Sequence, residues 1–190
     1  MKKIANGVYI ENNFPGVILG AIELPKGILM IDSPPRPDDG RAWQSSLREL
    51  KGGQDRILIN LDSHPDRTLG TRVMDSAVLA HVDTAEIFKK RPAIFKANNM
   101  DSGAEWESCS GLSGIRWYHP TMVFSDKTEL HWGGTQVIVE HHPGPEEGAS
   151  WVVLPELSIA FVGDAVMLKQ PPFLANANIP AWIDTLDLLQ

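Results

Sequence analysis

A chain of 190 residues with 43% hydrophobic content and a net charge of −7 can bury a core and offers no basic surface for nucleic acid or anionic lipid. Its one cysteine, Cys109, excludes an internal disulfide and a thiolate zinc cluster and fits a reducing compartment. No apolar run approaches the roughly 20 residues of a membrane helix, and Met1 to Gly7 lacks the apolar stretch of a signal peptide. The expectation is therefore a single soluble domain over 1–190, cytoplasmic, with no nucleic-acid or membrane partner.

From Gly7 to Ser33, apolar and β-branched residues recur between Asn12-Asn13, Pro15-Gly16 and Pro25-Lys26-Gly27, which reads as three strands joined by tight turns. Asp38 or Asp39 is expected to cap a helix running to about Lys51, with Trp43, Leu47 and Leu50 at helical spacing and Gly52-Gly53 ending it. Asp55 to Asn60 is a continuous apolar run, the pattern of a strand buried on both faces.

The turn leaving that strand organises the chain. In Leu61-Asp62-Ser63-His64-Pro65-Asp66-Arg67-Thr68-Leu69-Gly70, two carboxylates and an imidazole stand at alternate positions. On a tight turn at a strand end they can converge on one pocket, and a mixed oxygen and nitrogen donor set suits a divalent cation. Asp, Ser and Pro are also ordinary turn formers, so a plain polar turn is the alternative.

Thr68 to Met74 reads as a short helix, Ala77 to Ala80 as a strand, and Asp83 or Thr84 as the cap of a helix to Lys90. Arg91 to Cys109 reads as a further helical stretch begun by Pro92 and interrupted around Asn98 to Gly103. Strands are expected at Met122 to Phe124, Thr128 to Trp132 and Thr135 to Glu140, the last two joined through Gly133-Gly134. Trp151 to Leu154 and Ser158 to Val162 form a hairpin around Pro155-Glu156. Pro180 to Gln190 reads as a helix with Trp182, Leu186 and Leu189 facing the core.

The Asp62–Arg67 turn resembles the H-x-H-x-D-H signature of the metallo-β-lactamase superfamily, and other segments resemble that family in order. Gly27 to Ser33 is similar to its "IDTG"-type strand and turn, and Val78 to Ala85 to its strand leading into a helix. Pro143-Gly144-Pro145-Glu146-Glu147-Gly148 stands where "PGHTxG" belongs, and Phe161-Val162-Gly163-Asp164 where "LFxGD" belongs. The resemblance implies an αββα sandwich of two mixed sheets flanked by helices. It implies a first metal site at Asp62, His64 and Pro145, and a second at Asp66, Arg67 and Asp164. Family members usually continue through another strand and helix to a late histidine ligand, so the chain is expected to be cut short or naturally reduced.

Of these residues, His64, Asp66 and Asp164 keep the family's residue types. Asp62 can still ligate through oxygen; Pro145 has no donor. Arg67 has no lone pair for a metal, but it can supply positive charge by bridging Asp66 or Asp164. His141 and His142 alternate on a strand, so only one can face the cleft, and His142 adjoins the loop. Glu146 and Glu147 read as an exposed acidic turn, and His81, His119 and His131 as surface or structural. The metal set is then Asp62, His64, Asp66, Asp164 and His142, with Asp66 and Asp164 as catalytic carboxylates. One expectation is a hydrolase of a small-molecule substrate with at most one metal: zinc, manganese or iron. The alternative is a non-catalytic relative with no metal, serving ligand binding or assembly; a di-iron redox relative stands third. Oligomeric state is not legible.

Overall fold

Gly27 to Ile31 is the strand on which the first sheet changes character. The computed structural model describes residues 1–97, 104–168 and 172–189. Before that strand the chain meanders: β1 (Lys2–Ala5), β2 (Val8–Glu11), β3 (Leu19–Glu23) and β4 (Gly27–Ile31) pair antiparallel. After it, helical crossovers deliver β5 (Asp55–Ile59), β6 (Ala77–His81) and β7 (Met122–Phe124), each parallel to its predecessor. The result is a seven-stranded mixed sheet in sequential order. A second sheet holds four antiparallel strands: β8 (Lys127–Leu130), β9 (Val137–His141), β10 (Ser150–Leu154) and β11 (Ile159–Phe161).

The core lies between the sheets. Val8, Ile22, Leu29, Ile31, Ile59 and Leu79 from the first meet Val137, Val139, Val152 and Leu154 from the second. The other face of the large sheet is covered by α1 (Pro37–Leu47), whose fully buried Trp43 and nearly buried Leu47 pack on Leu19, Ile28, Met30 and Leu58. This is the expected sandwich, with the smaller sheet wholly antiparallel. Among the described residues no helix is long and apolar enough to cross a membrane.

Several expectations are corrected. Strand β1 is an addition to the expected set, because Lys2 and Lys3 lie on an exposed edge where charge is no obstacle to pairing. Helix α1 starts at Pro37, whose missing N–H is harmless in a first turn, and Asp39 binds Arg36 through both its oxygens instead of capping. Strand β5 is exposed at Asp55 and buried only toward Leu58 and Ile59. Helix α2 (Pro65–Thr68) precedes a 3-10 stretch over Leu69–Met74. Helix α3 (Val82–Lys90) is capped by the His81 ring, which accepts from Asp83 N–H at 3.2 Å.

The stretch from Arg91 to Cys109 holds no α-helix where described. It holds one bridge, Ile94 to Arg116, and a 3-10 turn at Glu105–Ser108. Phe95, Trp106, Leu112 and Trp117 fold inward there on Phe88 and Leu69, and that packing overrides the local helical preference. The interruption at 98–103 lies outside the described residues. Helix α4 (Ile179–Leu186) buries Trp182 and Thr185; Leu186 and Leu189, expected inside, are 36% and 43% exposed.

Candidate metal centre

Strands β4 and β5 end at the same edge of the sheet, and the crevice beyond the carboxyl ends of parallel strands is where such sheets hold ligands. Leu61 is still in the core, so the chain turns immediately after it. Asp62 Oδ1 accepts the His64 N–H at 2.9 Å, which closes the turn. His64 is extended (φ −60°, ψ 142°), as a residue before proline must be, and Pro65 starts α2. The His64 side chain makes no capping bond and its ring is left to the cleft.

Asp164 arrives from the other sheet, on a 3-10 turn at Gly163–Ala165 beyond β11. Gly163 has φ 55°, and a Cβ there would lie 2.9 Å from Arg67 Nη1, so a side chain would push into the guanidinium.

Arg67 is the centre of the cluster. Its side chain is 5% exposed; Nε lies 3.3 Å from Asp62, Nη1 3.6 Å from Asp32 and Nη2 3.7 Å from Asp66. Nη2 also donates to Asp164 Oδ1. Asp32, read in the sequence only as part of a turn, is therefore a member of the site. It sits at φ 58°, and its Oδ1 accepts the Leu61 N–H at 3.0 Å.

Beside this cation, His64 Nδ1 stands 3.1 Å from Asp164 Oδ2 and 3.3 Å from Asp62 Oδ2. Nδ1 is thus paired with two carboxylates, while Nε2 is buried without a hydrogen-bond partner among the described residues. The Phe173 ring stands edge-on to the imidazole at 6.1 Å.

Burial and charge divide the acids. Burial works to raise the Asp62 and Asp164 carboxyls, but Arg67 and His64 outweigh it and hold both below the usual carboxylate range. Burial wins at Asp32, pushed up to about 8 against Arg67, and at Asp66, pushed up to about 6 with Asp164 adding to it. Burial would lower His64, yet the Asp62 and Asp164 carboxylates carry it up to about 11. The same acids hold Arg67 well above its ordinary value despite burial.

Two groups of three donors lie within 4.8 Å among the described residues: Asp62, His64 and Asp164, and His81, Asp83 and His141. The second is already bonded. His81 Nε2 bonds Ser125 O at 2.8 Å, Nδ1 caps α3, and His141 Nε2 bonds Glu147 O at 2.7 Å. The two rings stack at 3.7 Å and 11°, so their in-plane lone pairs run side by side and do not converge on one ion. The first group has free donors and suits a cation better.

Elsewhere, His142 lies outside the cluster, tilted on Trp151 at 4.1 Å with Nε2 3.3 Å from Glu140. Glu146, expected on an exposed turn, is 3% exposed. Its oxygens accept Ser63 N–H at 2.8 Å and Ser63 Oγ–H at 2.6 Å. Arg91 donates to Ser63 O at 2.6 Å and Oγ at 2.9 Å. Nothing local in the sequence marks either residue.

A scan against protein-family models and a search of curated proteins return no match. Solved structures do match. TMB-1 superposes with TM-score 0.73 at 17% identity, covering 98% of this chain and 80% of that one. A metallo-β-lactamase from Pontibacter korlensis gives 0.71 at 19%, covering 100% and 83%. The chain has the metallo-β-lactamase fold. The same fold includes the sec-alkylsulfatase Pisa1 from Pseudomonas sp., at TM-score 0.70 and 14% identity, covering 98% of this chain and 35% of that one. With the fold in hand, the order of motifs in the sequence corresponds to the order of the turns at the cleft: Asp32 after β4, Asp62 to Arg67 after β5, and Asp164 after β11.

Proposed function

We propose that this chain is a hydrolase of a small-molecule substrate that holds one divalent cation between Asp62, His64 and Asp164, with Arg67 supplying the positive charge of a second. The observation that carries the reading is His64: a buried imidazole whose Nδ1 stands 3.3 and 3.1 Å from the ionised Asp62 and Asp164 carboxylates and whose Nε2 has no hydrogen-bond partner among the described residues. Such a donor set fits a cation. Two carboxylates to one imidazole shift relative preference toward manganese, iron or magnesium compared with an all-histidine site.

Asp62, His64 and Asp164 would hold the cation, which would supply polarisation of a substrate oxygen and a bound water with a pKa lowered toward about 7. The chain's own groups do the rest. Arg67 fixes Asp164 through Oδ1 and leaves Oδ2 facing His64. Asp66 lies against Arg67 outside the three-donor group, and in this reading its carboxylate serves as the base that takes a proton from water. The buried guanidinium opposes a second cation. Lactamase and alkylsulfatase relatives of one fold leave the substrate open, since function resides in the site.

The test is elemental analysis, then calorimetric titration of chelator-treated protein with zinc and with manganese. One ion per chain, lost in H64A, is expected. Two tightly held zinc ions would overturn the single-site reading; no binding of either metal would overturn the hydrolase and favour a charge-paired, non-catalytic cleft.

A further inference from the structure

The loop Pro143 to Gly148 joins β9 to β10 and passes directly beside the Asp62–His64 turn. Pro145 gives it no ligand to contribute, yet the loop is tied closely to the site. Glu146 reaches across the sheets and grips Ser63 with both oxygens, one on the amide at 2.8 Å and one on the hydroxyl at 2.6 Å. Arg91, at the end of α3, takes the remaining acceptors: the Ser63 carbonyl at 2.6 Å and the hydroxyl oxygen at 2.9 Å. Every polar group of Ser63, main chain and side chain, is thereby held by a charged partner.

The partners are themselves held. The Arg91 guanidinium lies 4.5 Å over the Trp117 ring and 5.0 Å over the Phe88 ring. The loop is pinned where Thr84 Oγ1 donates to Gly148 O at 2.9 Å, and a Cβ on Gly148 would stand 2.3 Å from that hydroxyl. Ser150 N–H donates to Leu61 O at 2.8 Å, one residue before Asp62. Ser63 is the residue between Asp62 and His64. Rotating its peptide units would turn one donor out of the cleft.

We infer that Glu146 and Arg91 are the positioning residues of the cation site: their grip on Ser63 holds Asp62 and His64 side by side, a cross-sheet tie made by a carboxylate instead of a shared ligand. The inference rests on the single-cation reading of the site. Glu146→Gln keeps size and packing but removes the negative charge that the Ser63 amide, the Ser63 hydroxyl and Arg91 face. The charge-assisted bonds that hold the turn weaken, and the hydroxyl must turn to accept from the new NH2.

The experiment titrates zinc into the chelator-treated 190-residue chain, in competition with a chromophoric chelator, for the unaltered protein, E146Q, R91M and the exposed-neighbour control E147Q. The unfolding midpoint of each metal-free variant is measured in parallel, and His64 ring-nitrogen NMR shifts report whether zinc reaches the imidazole. Removing partners that orient ligands typically lowers metal affinity about 10- to 100-fold. That loss is expected in E146Q and R91M at temperatures well below their own midpoints, with E147Q binding as the unaltered protein does. A merely structural role would lower the midpoints and leave the affinity of the folded protein unchanged, which would overturn the inference while the single-cation reading stood. Failure of the unaltered chain to bind zinc or manganese would overturn both. If E146Q does not fold, E146D keeps the charge but shortens the reach to Ser63; zinc affinity unchanged in folded E146D and in R91M overturns the inference equally.

Discussion

Arg67→Met tests the electrostatic centre of the molecule. The side chain keeps much of its length and loses its charge, leaving Asp32, Asp62, Asp66 and Asp164 around an apolar group. Pair separations of 3.3, 3.6 and 3.7 Å, beside the direct bond to Asp164, define the interaction lost. At an effective dielectric of about 20, each ionised carboxylate at such distances is worth about 5 kcal/mol of gross attraction. Asp62 and Asp164, the two acids held below the usual range, make the gross sum about 10 kcal/mol. Methionine escapes the dehydration of a buried guanidinium, several kcal/mol, so the net loss falls near the ~3–5 kcal/mol typical of a buried pair deprived of one partner. Urea unfolding at pH 7.5 with chelator present reads this directly, and R67M/D164N should recover about 0.5–3 kcal/mol of it by double-mutant cycle. An R67M protein within about 0.5 kcal/mol of the unaltered chain would refute the view that the guanidinium neutralises this cluster.

Arg67→His exchanges a fixed cation for a neutral donor, and elemental analysis should show metal content per chain rising above that of the unaltered protein. Gly148→Ala places a methyl 2.3 Å from Thr84 Oγ1 and 2.5 Å from Thr84 N; overpacking of this kind costs about 1–3 kcal/mol, read as a fall in Tm of roughly 2–4 °C per kcal/mol. His81 is held below its ordinary 6.5 by burial, with the stacked His141 adding to it, while the Ser125 carbonyl and Asp83 oppose. Its contribution to stability is complete above that value and is lost as pH falls through the folded-state pKa, because the unfolded chain takes the proton first. The stability difference between the unaltered protein and H81Q should therefore shrink from pH 7.5 to 5; a constant difference across that range counts against it.

The elements that are legible in the sequence are those whose determinants are local. Hairpin β8–β9 carries its turn in Gly133-Gly134, and the donors at Asp62, His64 and Asp66 are packed into five consecutive positions. Glu146 reads as a surface acid because its partner is 83 residues away. The Arg67 to Asp164 bond spans 97 residues and is foreseeable only because two short motifs resemble a family in which they meet. Arg91 to Cys109 misleads for the opposite reason: local helical preference is present, and the aromatic side chains that override it pack on distant partners. The His81 cap is hidden because Asp83 and Thr84 are the commoner capping types, while an imidazole can accept an amide as they would.

The sequential strand order has a kinetic consequence. Within each sheet every strand after the first pairs with the one before it in the chain, and only the β4–β7 pairings require helical or long crossovers. Both sheets can therefore grow from contacts of modest loop length, which are the ones that form early. The Arg67 to Asp164 bond cannot: it joins the turn after β5 to the turn after β11, which meet when one sheet docks on the other. Closing the cluster with Asp164 is accordingly expected late in assembly, on the native side of the folding barrier, and unfolding and refolding rates of D164N would test it. Changes in that cluster alter how fast the molecule opens, while the speed at which it forms is governed by the strands themselves.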